Sequence, residues 1–100
     1  MNAIDWNRVT AGHVAQAAQE YDALGADAFF AKRGYAPTTT YDLVHGGRVY
    51  PPKAILGAAY EIATGTRLAS TDFEGGKSGA VKVLGQLGFS VQPRRPAGQG

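Results

Sequence analysis

Residues 41–60, YDLVHGGRVYPPKAILGAAY, decide how this chain folds. The stretch reads as a strand over Tyr41 to His45, a Gly46-Gly47 turn, a second strand over Arg48 to Tyr50, and then a helix. Two glycines between β-rich runs suit a tight hairpin, because a primed turn needs positive φ at both central positions. Pro51 and Pro52 stop strand pairing and fit a first helical turn, where a missing N–H costs nothing. From Lys53 onward, Ile55, Ala58, Ala59 and Ile62 recur at helical spacing and predict one buried face. Ala58 and Ala59 are small enough for close packing against a sheet or a second helix.

Working outward, Thr10 is a candidate N-cap for a helix to Leu24, with Val14, Ala17, Ala18, Tyr21 and Leu24 on one stripe. Gly25 ends it. A short helix over residues 26–33 presents Phe29 and Phe30 and stops at Gly34, with Lys32 and Arg33 in its last turn, where cations suit the helix dipole. Residues 35–40, YAPTTT, read as a loop. Residues 66–74 look irregular, with capping-box spacing between Thr71 and Glu74 around Phe73. Gly75-Gly76 is expected to open a last helix with Val81, Leu84 and Leu87 facing inward. Gly88 ends that helix, and residues 89–91 form a closing strand. The tail from Gln92, QPRRPAGQG, is Pro/Gly-rich and reads as a linker. The sum is one α+β domain over residues 1–91, with helices packed on a small, mostly antiparallel sheet, and a tail over 92–100. Trp6, the single tryptophan, is expected to pack back onto the fold.

Composition narrows the chemistry. A hydrophobic content of 44% is ordinary for a globular chain. The absence of cysteine excludes disulfides, a thiol nucleophile and Cys-based zinc sites. No apolar run approaches the roughly 20 residues of a membrane span, and residues 1–9 lack a signal-peptide plan, so a cytoplasmic protein without membrane contact is expected. The net charge of +2 is unevenly placed. Residues 1–30 hold four acids against Arg8 and sum to −3, whereas residues 31–100 hold nine Lys or Arg against four acids and sum to +5. A basic partner surface, if present, belongs to the later part.

Catalytic groups are sparse. His13 and His45 have no third ligand at regular spacing, so no metal and no cofactor is expected. Asp72 and Glu74 straddle Phe73 and suit caps or turns better than acid–base work. Serines and threonines lack a recognisable His/Asp arrangement. Gly75-Gly76-Lys77-Ser78 resembles a phosphate loop only in part, because position 71 is Thr where the full motif needs Gly. What survives is a Gly-Gly helix start with exposed N–H groups and Lys77, able to hold an anion and equally able to be a flexible start with a solvated Lys. Lys53 opposes the dipole of its own helix, so local helix stability does not explain it. Arg48 and Tyr50 share a strand face, with Val49 on the other. Tyr41 and Leu43 alternate likewise on the partner strand. Cations with Tyr rings on one surface can hold phosphates and approach bases, and can equally be packed rings with snorkelling side chains.

The residues Tyr41, Leu43, Val44, His45, Gly47, Tyr50, Lys53, Ala54 and Ile55 form one motif. Asp72, Phe73, Gly75 and Gly76, and then Leu84, Leu87, Gly88 and Phe89, form two more in the same order. Together they resemble the N-terminal head domain of McrA-like HNH endonucleases of actinobacteria, over nearly the whole chain to about Val91. Pro51-Pro52 departs from the more polar residues of that pattern. The resemblance implies a non-catalytic reader of modified double-stranded DNA, with 5-methylcytosine as the expected mark, in a type IV restriction system. Its HNH nuclease and sulfur-recognising domain would follow the Gln92 linker. On this reading Lys32, Arg33, Lys53, Lys77 and Lys82 meet phosphates, with Gly75, Gly76 and Ser78 beside Lys77. Arg48, with Tyr41, Tyr50 or the hydroxyls of Thr38, Thr39 and Thr40, approaches base edges of an intact duplex. Two alternatives remain: a protein-interaction or dimerisation head that positions the nuclease, and a small enzyme acting on a phosphorylated ligand through residues 75–78.

Overall fold

The first ordered turn runs over Trp6–Arg8 and leads through Val9 to Thr10, whose side chain caps the helix α1, Ala11–Leu24. Thr10 Oγ1 accepts from the His13 backbone N–H, and the His13 ring accepts from the Thr10 N–H at 3.0 Å, closing a reciprocal capping box. Gly25 ends α1 and starts α2, Ala26–Arg33, which stops at Gly34 in the left-handed region (φ 80°). The hairpin follows as β1, Tyr41–His45, and β2, Arg48–Tyr50. Gly46 and Gly47 take φ of 60° and 78°, the two positive values a primed turn demands. Helix α3, Pro52–Thr64, has Pro51 at its N-cap, and α4 is Ala80–Gln86. Strand β3, Ser90–Pro93, closes the chain of elements. The computed structural model describes residues 4–37 and 40–93.

The three strands form one antiparallel sheet in the order β2-β1-β3. Leu43 pairs with Tyr50 on one side and Val91 on the other. Both Leu43 and Tyr50 are buried, whereas Val49 on the opposite face is 57% exposed, so period-two alternation sets one inner and one outer face. Helix α3 is the hub. Ala54, Ile55, Leu56, Ala58, Ala59 and Tyr60 are buried around it, against Val14, Ala17 and Ala18 of α1 and Leu84 of α4. Its small residues permit that close approach. Trp6 does pack back, edge-on to Tyr60 at 5.4 Å and to Phe73 at 5.2 Å.

Three expectations need correction. The last helix does not open at Gly75-Gly76 but at Ala80, with Gly79 as its N-cap. Glycines at 75, 76 and 79 disfavour helix, so the segment folds as turns: Ala80 N donates to the Glu74 carbonyl at 2.8 Å, and Gly79 N to the Gly76 carbonyl at 3.0 Å. A methyl group at Gly79 would lie 1.9 Å from that Glu74 oxygen, so only glycine fits. The inward residues of α4 are Ala80, Val83 and Leu84, with Val81 and Leu87 half-buried. Thr71 and Glu74 do not form a capping box. Instead Asp72 closes a turn, accepting from Ala69 N at 2.7 Å while its own N–H donates to the Ala69 carbonyl at 3.0 Å. Finally, the closing strand runs two residues past Val91, because Gln92 and Pro93 pair with Asp42 and Tyr41. Among the described residues, no helix is long and apolar enough to cross a membrane.

Candidate nucleic-acid interface

The fold gathers five of the residues singled out in the sequence around one open cleft of about 290 Å³. Thr40, Tyr41, Pro52, Lys53, Gly75 and Gly76 line it. The entry of β1, the first turn of α3 and the glycine turn thus meet at one place. Lys53 stands in that first turn with its ammonium 5.4 Å from the centroid of the Phe73 ring, a cation–π contact. The chain at Gly75 runs close beside the Lys53 stem: a Cβ there would lie 3.4 Å from Lys53 Cδ. Thr38 and Thr39 lie outside the described residues.

Cations divide into two groups by their partners. Arg33, expected to meet phosphate, is only 8% exposed and lies between helices. Its Nε donates to Glu20 of α1 at 2.7 Å and its Nη1 to Glu61 of α3 at 2.9 Å. The bond to Glu20, helped by that to Glu61, raises the Arg33 pKa against the opposing effect of burial, and the same guanidinium holds the Glu20 carboxyl below its usual range. Arg33 is therefore a structural ion-pair centre and not a free phosphate contact. Lys32 is more exposed and reaches Glu20 at 3.4 Å, and Arg67 pairs with Glu61 at 3.5 Å. Arg48 meets Asp22 at 3.3 Å. By contrast, among the described residues, Arg8, Lys53, Lys77 and Lys82 have no ion pair. Lys77 and Lys82 are exposed.

Two further site residues change role. Tyr50 is 4% exposed and cannot present its ring to a base. Its hydroxyl donates to Asp22 Oδ2 at 2.8 Å, and its ring packs edge-on to Tyr21 at 5.4 Å. Burial first, and then that hydrogen bond, push its phenol above the usual value. Ser78 directs its hydroxyl to Glu74 Oε2 at 3.0 Å. Since no helix starts at Gly75-Gly76, the anion site expected from a helix dipole there is absent, although both glycines still line the Lys53 cleft. Neither histidine joins a reactive group. His13 caps α1, and His45 lies edge-on to Phe89 at 5.4 Å. Among the described residues, no three His, Asp or Glu side chains converge as metal ligands would.

Asp22, Phe73, Glu20 and Glu61 were not singled out from sequence for these roles. Their partners are distant in the chain, at separations of 28 residues for Asp22–Tyr50 and 13 for Glu20–Arg33, which no local spacing encodes.

A family model described as "ScoMcrA-like, N-terminal head domain" matches residues 7–93. The chain belongs to this family of head domains. The solved structure of the type IV phosphorothioation-dependent restriction endonuclease ScoMcrA superposes with a TM-score of 0.66 at 28% identity. The likeness covers 91% of this chain and 14% of that one, so the chain spans about a seventh of the endonuclease's length. No curated protein sequence matches it. As a ScoMcrA-like head domain, the chain corresponds to the head and not to the nuclease part of such an enzyme.

Proposed function

We propose that this head domain is a non-catalytic binder of modified double-stranded DNA, serving a nuclease carried elsewhere in a longer parent chain. The observation that carries the reading is the Lys53 cleft. An ammonium without a carboxylate partner stands over an aromatic ring, beside a threonine and two glycines whose main chain is open to approach. Such a group suits a DNA phosphate, and phosphate contacts supply most of the sequence-independent affinity of DNA binders. Among the described residues, Lys77 and Lys82 are the other cations free of acids on the later part of the chain, and we assign them the same role. Gly75, Gly76 and Thr40 would approach the backbone at the cleft, with the Tyr41 ring as its wall.

The duplex would be read intact. Phe29, Tyr35, Tyr50 and Tyr60 are all buried, so these rings cannot sandwich a flipped base. For a 5-methylcytosine mark, the available apolar surface is Val49, exposed on the outer face of the sheet next to Arg48, which would meet the C5-methyl in the major groove. The solved relative is a phosphorothioation-dependent enzyme, and phosphorothioation changes the DNA backbone instead of the base, so both marks belong in the test.

Fluorescence polarisation against matched duplexes, unmodified, cytosine-methylated and phosphorothioated, over a salt series, tests this reading. Duplex binding that weakens with salt is expected, with the methylated duplex preferred several-fold. Lys53→Ala should weaken binding to all three about equally and flatten the log–log salt slope by about 0.9. No binding at low salt would overturn the reading and leave a protein-interaction head in its place. A preference confined to the phosphorothioated duplex would replace the methyl mark.

A further inference from the structure

At the far end of the hairpin from Lys53, a second constellation has a different character. Asp22 projects from α1 to the inner face of β2 and shares its two oxygens. Oδ2 accepts from the buried Tyr50 hydroxyl at 2.8 Å, and Oδ1 accepts from Arg48 Nη1 at 3.3 Å. The Arg48 side chain is 69% exposed, and its Nε and Nη2 bond to none of the described residues. Beside it, Asp22, His45, Gly46, Arg48 and Tyr50 line a shallow cleft of about 210 Å³ with Gln19 at its edge.

An exposed ion pair of this kind contributes little to stability, so stability alone does not account for it. Its geometry suggests another purpose. A guanidinium bonded at one nitrogen to a carboxylate has fewer orientations open to it, and its Nε and Nη2 stay available to a ligand. Tyr50 fixes the carboxylate in turn. Its hydroxyl is protonated throughout the neutral range and donates to Asp22 Oδ2.

We propose that Asp22, braced by Tyr50, is a positioning residue that orients Arg48 to read the O6/N7 edge of a guanine in the major groove. Arg in bidentate contact with guanine is the commonest specific pairing, and a β-ribbon fits that groove. The inference rests on the duplex-binding reading and adds a base preference to it. The Arg48–Asp22 pair carries no net charge, so it contributes selectivity instead of the salt-dependent affinity that Lys53 supplies. Val49 and the outer face of the sheet are not involved.

Selection from a randomised double-stranded DNA library with the 100-residue chain, followed by affinity measurement on the winning duplex and its guanine-substituted mismatch, tests this. The wild type should enrich one fixed guanine and discriminate against its replacement by about tenfold. Arg48→Lys keeps the charge without the fork, so it should retain affinity for the mismatched duplex and lose the discrimination. Asp22→Asn should move the two quantities in opposite directions. Affinity for the mismatched duplex rises because a negative charge beside DNA has gone, while the discrimination falls by about three- to tenfold. A merely structural Asp22 would lower both together or neither. Tyr50→Phe, which keeps the buried ring, should show the same loss in weaker form without the gain in general affinity. Duplex binding with no base enriched, or discrimination that survives Arg48→Lys, would overturn the buttress and leave the duplex-binding reading standing. No duplex binding at low salt would overturn both.

Discussion

Gly57→Ala, in the middle of α3, is a substitution that helix propensity alone would favour by about 1 kcal/mol. The structure gives the opposite sign. A Cβ at Gly57 would lie 2.0 Å from Tyr35 Oη and 2.4 Å from Tyr35 Cζ, so the ring must leave its place. That place is defined: Tyr35 is 9% exposed and its hydroxyl donates to the Leu68 carbonyl at 2.9 Å across a buried contact. Displacement breaks that bond and leaves two buried polar groups short of a partner, at about 1–3 kcal/mol. Overpacking of the surrounding core adds a further 1–3 kcal/mol or so. Set against the propensity gain, Gly57→Ala should cost about 3 kcal/mol, a large fraction of the ~5–15 kcal/mol that holds a typical domain together. Urea titration followed by Trp6 fluorescence reads this directly, since that indole packs against Tyr60 and Phe73. In a Tyr35→Leu background the clashing atoms are gone, and the same Gly57→Ala change should become neutral or stabilising by up to about 1 kcal/mol. A single mutant within about 0.5 kcal/mol of wild type, or a cost that persists in the Tyr35→Leu background, would refute the reasoning. The consequence reaches the cleft, because the Tyr35 ring lies 6.3 Å from Phe73, which in turn carries Lys53.

The ionisable groups make two further predictions. The Arg33 guanidinium depresses the Glu20 pKa below the ordinary 4.5, so the stability this pair supplies is present above that pH and lost as the pH falls through the folded value. Glu20→Gln should therefore cost about 2 kcal/mol at neutral pH, less than for a fully buried pair because Glu61 still holds Arg33, and should flatten the acid limb of a melting-temperature profile. An acid limb of unchanged slope in Glu20→Gln would argue against it. At the alkaline end, burial, followed by repulsion from Asp72 and Glu61, pushes Tyr35 up to about 12. The folded state then keeps a proton that the unfolded chain releases near 10, so the Tyr35 contribution to stability is constant below pH 10 and falls by about 2–3 kcal/mol as pH rises through 12. Tyr50 contributes in the same direction. Chemical denaturation at about pH 8, 10 and 11.5 measures the fall, and Tyr35→Phe should remove most of it.

Local chemistry was legible wherever the element closes on itself. Gly46-Gly47, Thr10, Gly25 and Gly34 each act through their own backbone angles or an immediate neighbour, and the hairpin and the first two helices stand where those residues put them. Residues 66–79 were opaque because their turns are closed by side chains three or four positions away, Asp72 on Ala69 and Glu74 on Ser78, with no hydrophobic period to frame them. The same boundary divides the candidate site. Thr40, Tyr41, Lys53, Gly75 and Gly76 were singled out on separate grounds, and the fold brings them to one cleft. Arg33 and Tyr50 looked like surface groups because the residues that bury and bond them, Glu20, Glu61 and Asp22, lie on other helices.

The charge asymmetry of the chain acquires its meaning only after folding. Along the sequence, an acidic first third and a basic remainder suggest two surfaces of opposite sign. In the fold, Glu20 and Asp22 of α1 instead reach across to neutralise Lys32, Arg33 and Arg48, and Glu61 engages Arg33 and Arg67. Among the described residues, the positive charge is thereby stripped from the α2 side and left unpaired on Lys53, Lys77 and Lys82, with Arg8 at the start of the fold. Lys53, Lys77 and Lys82 together displace few counterions, so their share of the log–log salt slope is only about −3 and their contribution to affinity for arbitrary DNA is modest. A weak general contact of that size is what selectivity requires. Even a small bias from one oriented Arg48 then remains visible against the background, whereas a strongly basic surface would bind every duplex and hide it.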